Sequence, residues 1–146
     1  MVREFAIDLE QETTQLAEQI APLIKKGDIL ALYGDLGSGK TFFTRQLCRV
    51  LGVADLVTSP SFVLINQYQS PHFNIYHIDL YRLHDENDLW GLGIDEFIED
   101  GVTIIEWPEL AEPLLNKQVI KLYFEYTVRG RRVKIESNEA LLSEIN

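Results

Sequence analysis

The sequence predicts a single α/β domain, with a mostly parallel central sheet flanked by helices and an antiparallel hairpin near the C-terminus. Three observations predict it. Two short apolar runs, at 29–33 and 102–105, suit strands buried on both faces of a parallel sheet. Segments of helical periodicity alternate with them. The stretch 119–136 divides into two strand-like halves around Arg129-Gly130. A chain of 146 residues fits one domain, residues 1–146, with a sizeable core.

Residues 3–9, REFAIDL, alternate polar and apolar and read as a strand. The next segment, QETTQLAEQIAPLIKKG, sets Leu16, Ile20, Leu23 and Ile24 at helical spacing and stops at Gly27. Its acids come early and its lysines late, as the helix dipole favours. The apolar strand 29–33 follows, and then a helix from about Lys40 to Leu51, closed by Gly52. Residues 53–61, VADLVTSPS, form a loop punctuated by Pro60. FVLINQY (62–68) is a strand, SPHFN a turn, and 75–80 another strand. DENDLWGLGIDEFIEDG is acidic and helical, and VTIIE (102–106) is a strand closed by Trp107-Pro108. The hairpin and a short helix complete the chain.

Composition narrows the function classes. The sequence is 46% hydrophobic and 25% charged, as an ordinary globular protein is. No apolar run is long enough to span a bilayer, so no membrane association is expected. The start, Met1 to Phe5, lacks a basic segment followed by an apolar block, which gives no sign of secretion. The single cysteine, Cys48, excludes an internal disulfide and fits a reducing, cytoplasmic setting, with Cys48 as a packing residue. The net charge of −10, from 13 basic and 23 acidic side chains, is wrong for a stand-alone nucleic-acid binder. Only the cluster from Arg129 to Lys134 is basic, so any RNA contact is expected to be indirect, through another protein.

Gly34-Asp35-Leu36-Gly37-Ser38-Gly39-Lys40-Thr41 matches G-x-x-x-x-G-K-[ST], the phosphate loop of P-loop NTPases. Each fixed position has a physical reason. Glycines let backbone N–H groups curl around phosphate oxygens. The helix that begins near Lys40 points its unpaired N–H groups and positive dipole end at the same anion. Lys40 supplies a point charge to the β- and γ-phosphates, and the Thr41 hydroxyl can ligate Mg²⁺. A Gly-rich turn can match by chance, but here a buried strand precedes it and an apolar-periodic helix follows. The expected cofactors are ATP and Mg²⁺, held by Asp35, Leu36, Gly37, Ser38, Gly39, Lys40, Thr41 and Phe42.

A magnesium site usually draws a carboxylate from the end of a neighbouring strand. Asp79 and Glu106 both close strand candidates, and ligands of open α/β sheets bind beyond those ends. One acid would bind the ion while the other works through water or positions the nucleophile; spacing leaves their roles open. Thr58, in the loop Thr58-Ser59-Pro60-Ser61, is a candidate γ-phosphate sensor. His72, His77 and His84 read as loop or surface residues. Tyr76, Tyr81, Trp90 and Trp107 read as packing or partner contacts.

The order GDLGSGKT, TSPSF, YHIDLYRL, IIEWPE closely resembles the bacterial TsaE family, ATPases of tRNA threonylcarbamoyladenosine synthesis. The resemblance covers nearly the whole chain, and D-L-Y-R followed by E-W-P is its most specific part. It implies a small P-loop α/β fold and weak ATP hydrolysis that supports threonylcarbamoyl transfer to adenosine 37 of tRNA. It implies as partners a TsaB–TsaD heterodimer, whose TsaD subunit performs the transfer. By the same resemblance the metal ligands are Thr41 and Glu106. Lys40, Thr58, Asp79 and Glu106 form the catalytic set, with Trp107 beside Glu106. Glu10 and Arg131 are implied contacts to the rest of the nucleotide. Ser38, where Ala is common, and Ser61-Phe62, where Thr-Tyr is common, preserve size and chemistry.

Two other functions use the same loop. A small-molecule kinase needs an arginine-bearing lid and a second substrate pocket, for which this chain is short. A GTP-dependent switch needs an N-K-x-D base reader; the nearest match, Asn116-Lys117-Gln118-Val119, has valine in place of the aspartate.

Overall fold

The computed structural model describes residues 1–60, 64–115 and 119–146. Its strands are β1 (Val2–Ala6), β2 (Ile29–Tyr33), β3 (Ile65–Gln69), β4 (Asn74–Asp79), β5 (Gly101–Glu106), β6 (Val119–Thr127) and β7 (Gly130–Glu136). Its α-helices are α1 (Glu10–Ile20), α2 (Lys40–Val50), α3 (Glu86–Trp90), α4 (Ile94–Asp100) and α5 (Glu139–Ser143). The expected strand at 62–68 begins on Phe62 and Val63, which lie outside the described residues; so do Ser61 and Asn116-Lys117-Gln118.

One sheet holds all seven strands in the order β1-β7-β6-β2-β5-β4-β3. The four central strands, β6, β2, β5 and β4, run parallel, and both edges are completed by antiparallel pairing. Every residue of β2 and of β5 is buried, which is why both read as apolar runs without alternation. The hairpin β6–β7 is more than an appendage, because β6 pairs directly with β2 over Ile29↔Val119 to Tyr33↔Tyr123. Its alternation remains legible: Ile120, Leu122 and Phe124 face the core, while Lys121, Tyr123 and Glu125 are only half-buried.

Two apolar layers enclose the sheet. Leu16, Ala17 and Ile20 of α1 and Phe43 and Leu47 of α2 pack on Leu30, Leu32, Ile104 and Leu122. On the opposite face, Leu89, Ile94 and Ala111 cover Ile29, Ile78 and Ile105. Among the described residues, no helix is long and apolar enough to cross a membrane.

Three local departures have physical causes. The first helix stops at Ile20 and passes into a 3-10 turn over Ala21–Leu23, because Pro22 has no N–H to continue the ladder. Lys25 and Lys26 therefore lie beyond the helix, and its last turn carries no basic residue. The acidic helical stretch is two short helices, parted at Gly91 to Gly93, where Gly93 takes the left-handed conformation that starts α4. His77, expected in a loop or on the surface, is fully buried on β4.

Candidate active site

The glycine-rich loop leaves the C-terminal end of β2 and enters α2. Two positions there demand glycine. A Cβ on Gly34 would stand 2.6 Å from the Phe124 carbonyl oxygen and 2.7 Å from Ser38 Oγ. Gly39 caps α2 at φ 111°, a left-handed conformation that a side chain would strain. The result is a tight turn that aims the first amides of an 11-residue helix into one cavity.

That cavity, of about 260 Å³, is lined by Leu36, Gly37, Gly39, Lys40, Thr41, Phe42, Ser59, Asp79, Glu106, Trp107 and Arg131. Parallel pairing of β4 with β5 sets Asp79 opposite Glu106 at the strand ends, beside the loop from β2. Both acids are buried. The Thr41 hydroxyl lies 3.0 Å from Glu106 Oε1 and 3.1 Å from Oε2. Asp79 Oδ1 accepts a 2.8 Å hydrogen bond from the Tyr81 amide, which fixes the carboxylate at the turn that follows β4.

Lys40 is 4% exposed and donates to the Gly34 carbonyl. Its ammonium also sits 3.5 Å from the centre of the Trp107 ring, a cation–π contact. Trp107 reaches this position from a left-handed backbone, φ 57°, and its ring is tilted against Tyr81. Burial pulls the Lys40 pKa below its ordinary value; the charges of Glu106, Asp79, Glu109 and Asp35 oppose the shift without reversing it. Ser38 Oγ is buried without a hydrogen-bond partner among the described residues. A buried cation, an unpaired hydroxyl and the first amides of a helix suit a multiply charged oxyanion.

The residues expected to contact the rest of a nucleotide border an adjoining cavity of about 470 Å³, lined by Glu10, Thr13, Phe42, Tyr126 and Arg131 among others. Phe42 and Arg131 belong to both cavities. Asp8 holds the Arg131 amide at 2.9 Å, and the guanidinium lies 5.5 Å from the Tyr126 ring centre. Asp35 is exposed on the loop, where its carbonyl accepts from the Ser38 amide.

Thr58 is exposed and does not line the cavity; its neighbour Ser59 does. The Thr58 amide donates to the Tyr68 hydroxyl at 3.3 Å and its carbonyl accepts from Asn66 Nδ2 at 3.2 Å. Sequence reasoning missed His77, whose Nε2 lies 2.5 Å from Glu106 Oε2. The available signal was strand alternation: His77 and Asp79 stand two apart on β4 and share a face.

Among the described residues, no three His, Cys, Asp or Glu side chains could hold a metal together. Thr41 and Glu106 make a partial oxygen set, the kind Mg²⁺ uses when phosphate and water complete its shell. The residues present therefore fit a magnesium–nucleotide complex.

The family model for the threonylcarbamoyl adenosine biosynthesis protein TsaE matches residues 7–133. The chain belongs to the TsaE family. It is 37% identical over 134 residues to the tRNA threonylcarbamoyladenosine biosynthesis protein TsaE of Rickettsia bellii, covering 91% of this chain and 93% of that one. It is 39% identical to the Bacillus subtilis protein of the same name, over 77% of this chain and 70% of that one. The crystal structure of Bacillus subtilis YdiB superposes with a TM-score of 0.79 at 29% identity, covering 99% of this chain and 92% of that one. The resemblance read from GDLGSGKT, YHIDLYRL and IIEWPE is thus a shared family.

Proposed function

We propose that this chain is a P-loop ATPase that supports threonylcarbamoyl modification of adenosine 37 in tRNA, as the accessory subunit of a TsaB–TsaD complex. The names of its relatives place the family in that pathway. The observation that carries the ATPase reading is the convergence of Lys40, Thr41, Asp79 and Glu106 in one cavity at the mouth of a helix-capping glycine loop.

Lys40 and the α2 amides bind the phosphates and neutralise charge that builds on the γ-phosphoryl oxygens during transfer to water. Thr41 and Glu106 would hold Mg²⁺, which would supply charge neutralisation for the phosphates there. Asp79, buried beside Glu106, orients that water. Phe42 and Arg131 carry the site toward the Glu10 cavity, where the nucleoside lies. The loop around Thr58 and Ser59 borders the γ-phosphate end, so its order depends on the nucleotide state and conveys that state to the partners. With a net charge of −10, the subunit meets tRNA only through the complex.

Phosphate release from Mg-ATP, measured with and without the chain's own TsaB–TsaD pair, tests this reading. Slow release that rises with the partners supports an accessory ATPase. Release that is fast alone and indifferent to them refutes the coupling. A phosphorylated small molecule among the products would establish a kinase instead.

A further inference from the structure

We propose that His77 is a positioning residue for the magnesium site: it locks the Glu106 carboxylate from the core side so that the acid meets the ion in one orientation. The inference rests on Glu106 being a magnesium ligand, as proposed above.

His77 is fully buried, at 0% exposure, and Glu106 is 2% exposed. Their contact, Nε2 to Oε2 at 2.5 Å, is a strong, charge-assisted geometry. A carboxylate only accepts, so Nε2 carries the proton that donates. The other ring nitrogen, Nδ1, is buried with no hydrogen-bond partner among the described residues. All the polar bonding of this ring shown by the structure is directed at Glu106.

The strand geometry explains how the contact arises. His77 and Asp79 face the α2 side of β4, and Asp79 is the register partner of Glu106 on β5. His77 thus approaches the carboxylate from deeper in the sheet, while Thr41 approaches it from the start of α2. The two partners act on different sides of one group: His77 engages Oε2, and the Thr41 hydroxyl spans Oε1 and Oε2. A Glu side chain has three rotatable bonds, and without the imidazole its head can swing within the cavity. Fixing it in advance lowers the ordering cost when the ion binds.

Structural packing alone does not require a histidine at this depth. The neighbouring positions on the same face, Ile75 and Ile104, are apolar and fully buried. An imidazole with an unpaired nitrogen costs stability there, and its compensation is the bond to Glu106.

The test is the Mg²⁺ dependence of ADP binding, followed by titration calorimetry in wild type, H77F and H77Q. Phenylalanine keeps the volume and removes the donor; glutamine restores an N–H near the Nε2 position. H77F is expected to raise the Mg²⁺ concentration for half-maximal enhancement of ADP affinity by about 10-fold or more, the usual scale for losing a partner behind a metal ligand. ADP affinity in EDTA should be unchanged, and H77Q should recover most of the Mg²⁺ response. Should H77F fail to fold, H77N serves, because its shorter amide cannot reach Glu106. An unaltered Mg²⁺ dependence in the folded variant overturns the proposal, and so does an equal loss of affinity in EDTA. If wild-type binding itself ignores Mg²⁺, the assignment of Glu106 as ligand fails first and takes the role of His77 with it.

Discussion

The Thr41 hydroxyl and the Glu106 carboxylate meet at 3.0 Å across the mouth of the cavity, joining the first turn of α2 to the end of β5. They lie 65 positions apart in the chain and meet only because β2 and β5 are parallel neighbours, with Leu32 opposite Glu106. On the proposed function, removing the carboxylate should therefore disable chemistry more than nucleotide capture, which is assigned there to Lys40 and the backbone. E106Q is expected to lower ATP turnover by at least about 100-fold, roughly 2.7 kcal/mol of barrier. Its ADP affinity in EDTA should match wild type. Steady-state phosphate release and calorimetry check the two halves separately.

Lys40 and Trp107 lead to a second prediction, with a sign that follows from burial. Burial lowers the Lys40 pKa, so the folded state binds its proton less readily than the unfolded chain does. For a depressed base, the stability contribution is present above the unfolded pKa, near 10.5, and is lost as pH falls through the folded value. At neutral pH the charged lysine is thus a net cost to the empty fold. K40M should melt at the same temperature as wild type or higher, gaining up to about 1 kcal/mol, as happens when a functional charge is removed. It should show no rise in melting temperature with ATP. In a W90F background, which leaves Trp107 as the one indole, ATP should alter the emission of the parent as Lys40 leaves the ring, and K40M should not respond.

The sequence carried the fold where burial is uniform and the site where geometry is local. Ile29 to Tyr33 reads as a central strand because both faces are covered, and Gly34 to Thr41 reads as an anion cradle because its spacing is dictated by backbone curvature. Contacts between distant strands were another matter. Alternation in YHIDLYRL puts its histidine on the face of Asp79, but only the pairing of β4 with β5 brings that face to Glu106. The contact of Lys40 with Trp107 depends on a left-handed residue directly after a strand, which no propensity suggests. The early end of α1 was written in Pro22, yet apolar spacing continued through Leu23 and Ile24 and outvoted it.

Cys48 supplies a check on the core beneath α2. Burial pushes its thiol from 9.0 up to about 12. For a raised pKa, the stability contribution is intact below the unfolded value and is lost as pH rises between about 9 and about 12. At pH 8 only roughly one thiol in ten thousand is ionised on that value. The native protein should resist a disulfide reagent such as dithiobis(nitrobenzoate) at pH 8, and the denatured chain should react with one equivalent at once. Rapid labelling of the native chain would mean that α2 opens locally, and ATP would then be expected to slow the reaction.

In the proposed function, Arg131 separates the two halves of the nucleotide site. Its backbone is pinned by Asp8, so truncating the side chain leaves the hairpin anchored. Arg131 lines both the Lys40 cavity and the Glu10 cavity, a position that would fall between phosphate and nucleoside in the proposed binding mode. R131A should weaken ATP and ADP alike by about 10-fold, roughly 1.4 kcal/mol. Inorganic triphosphate, which lacks the nucleoside, should lose less. Lysine at this position keeps the charge but not the planar fork, so R131K should recover only part of the affinity. Calorimetry with the three ligands distinguishes the outcomes. Equal losses for triphosphate and ATP would assign Arg131 to the phosphates alone, and unchanged affinities would leave the Glu10 cavity without a role in nucleotide binding.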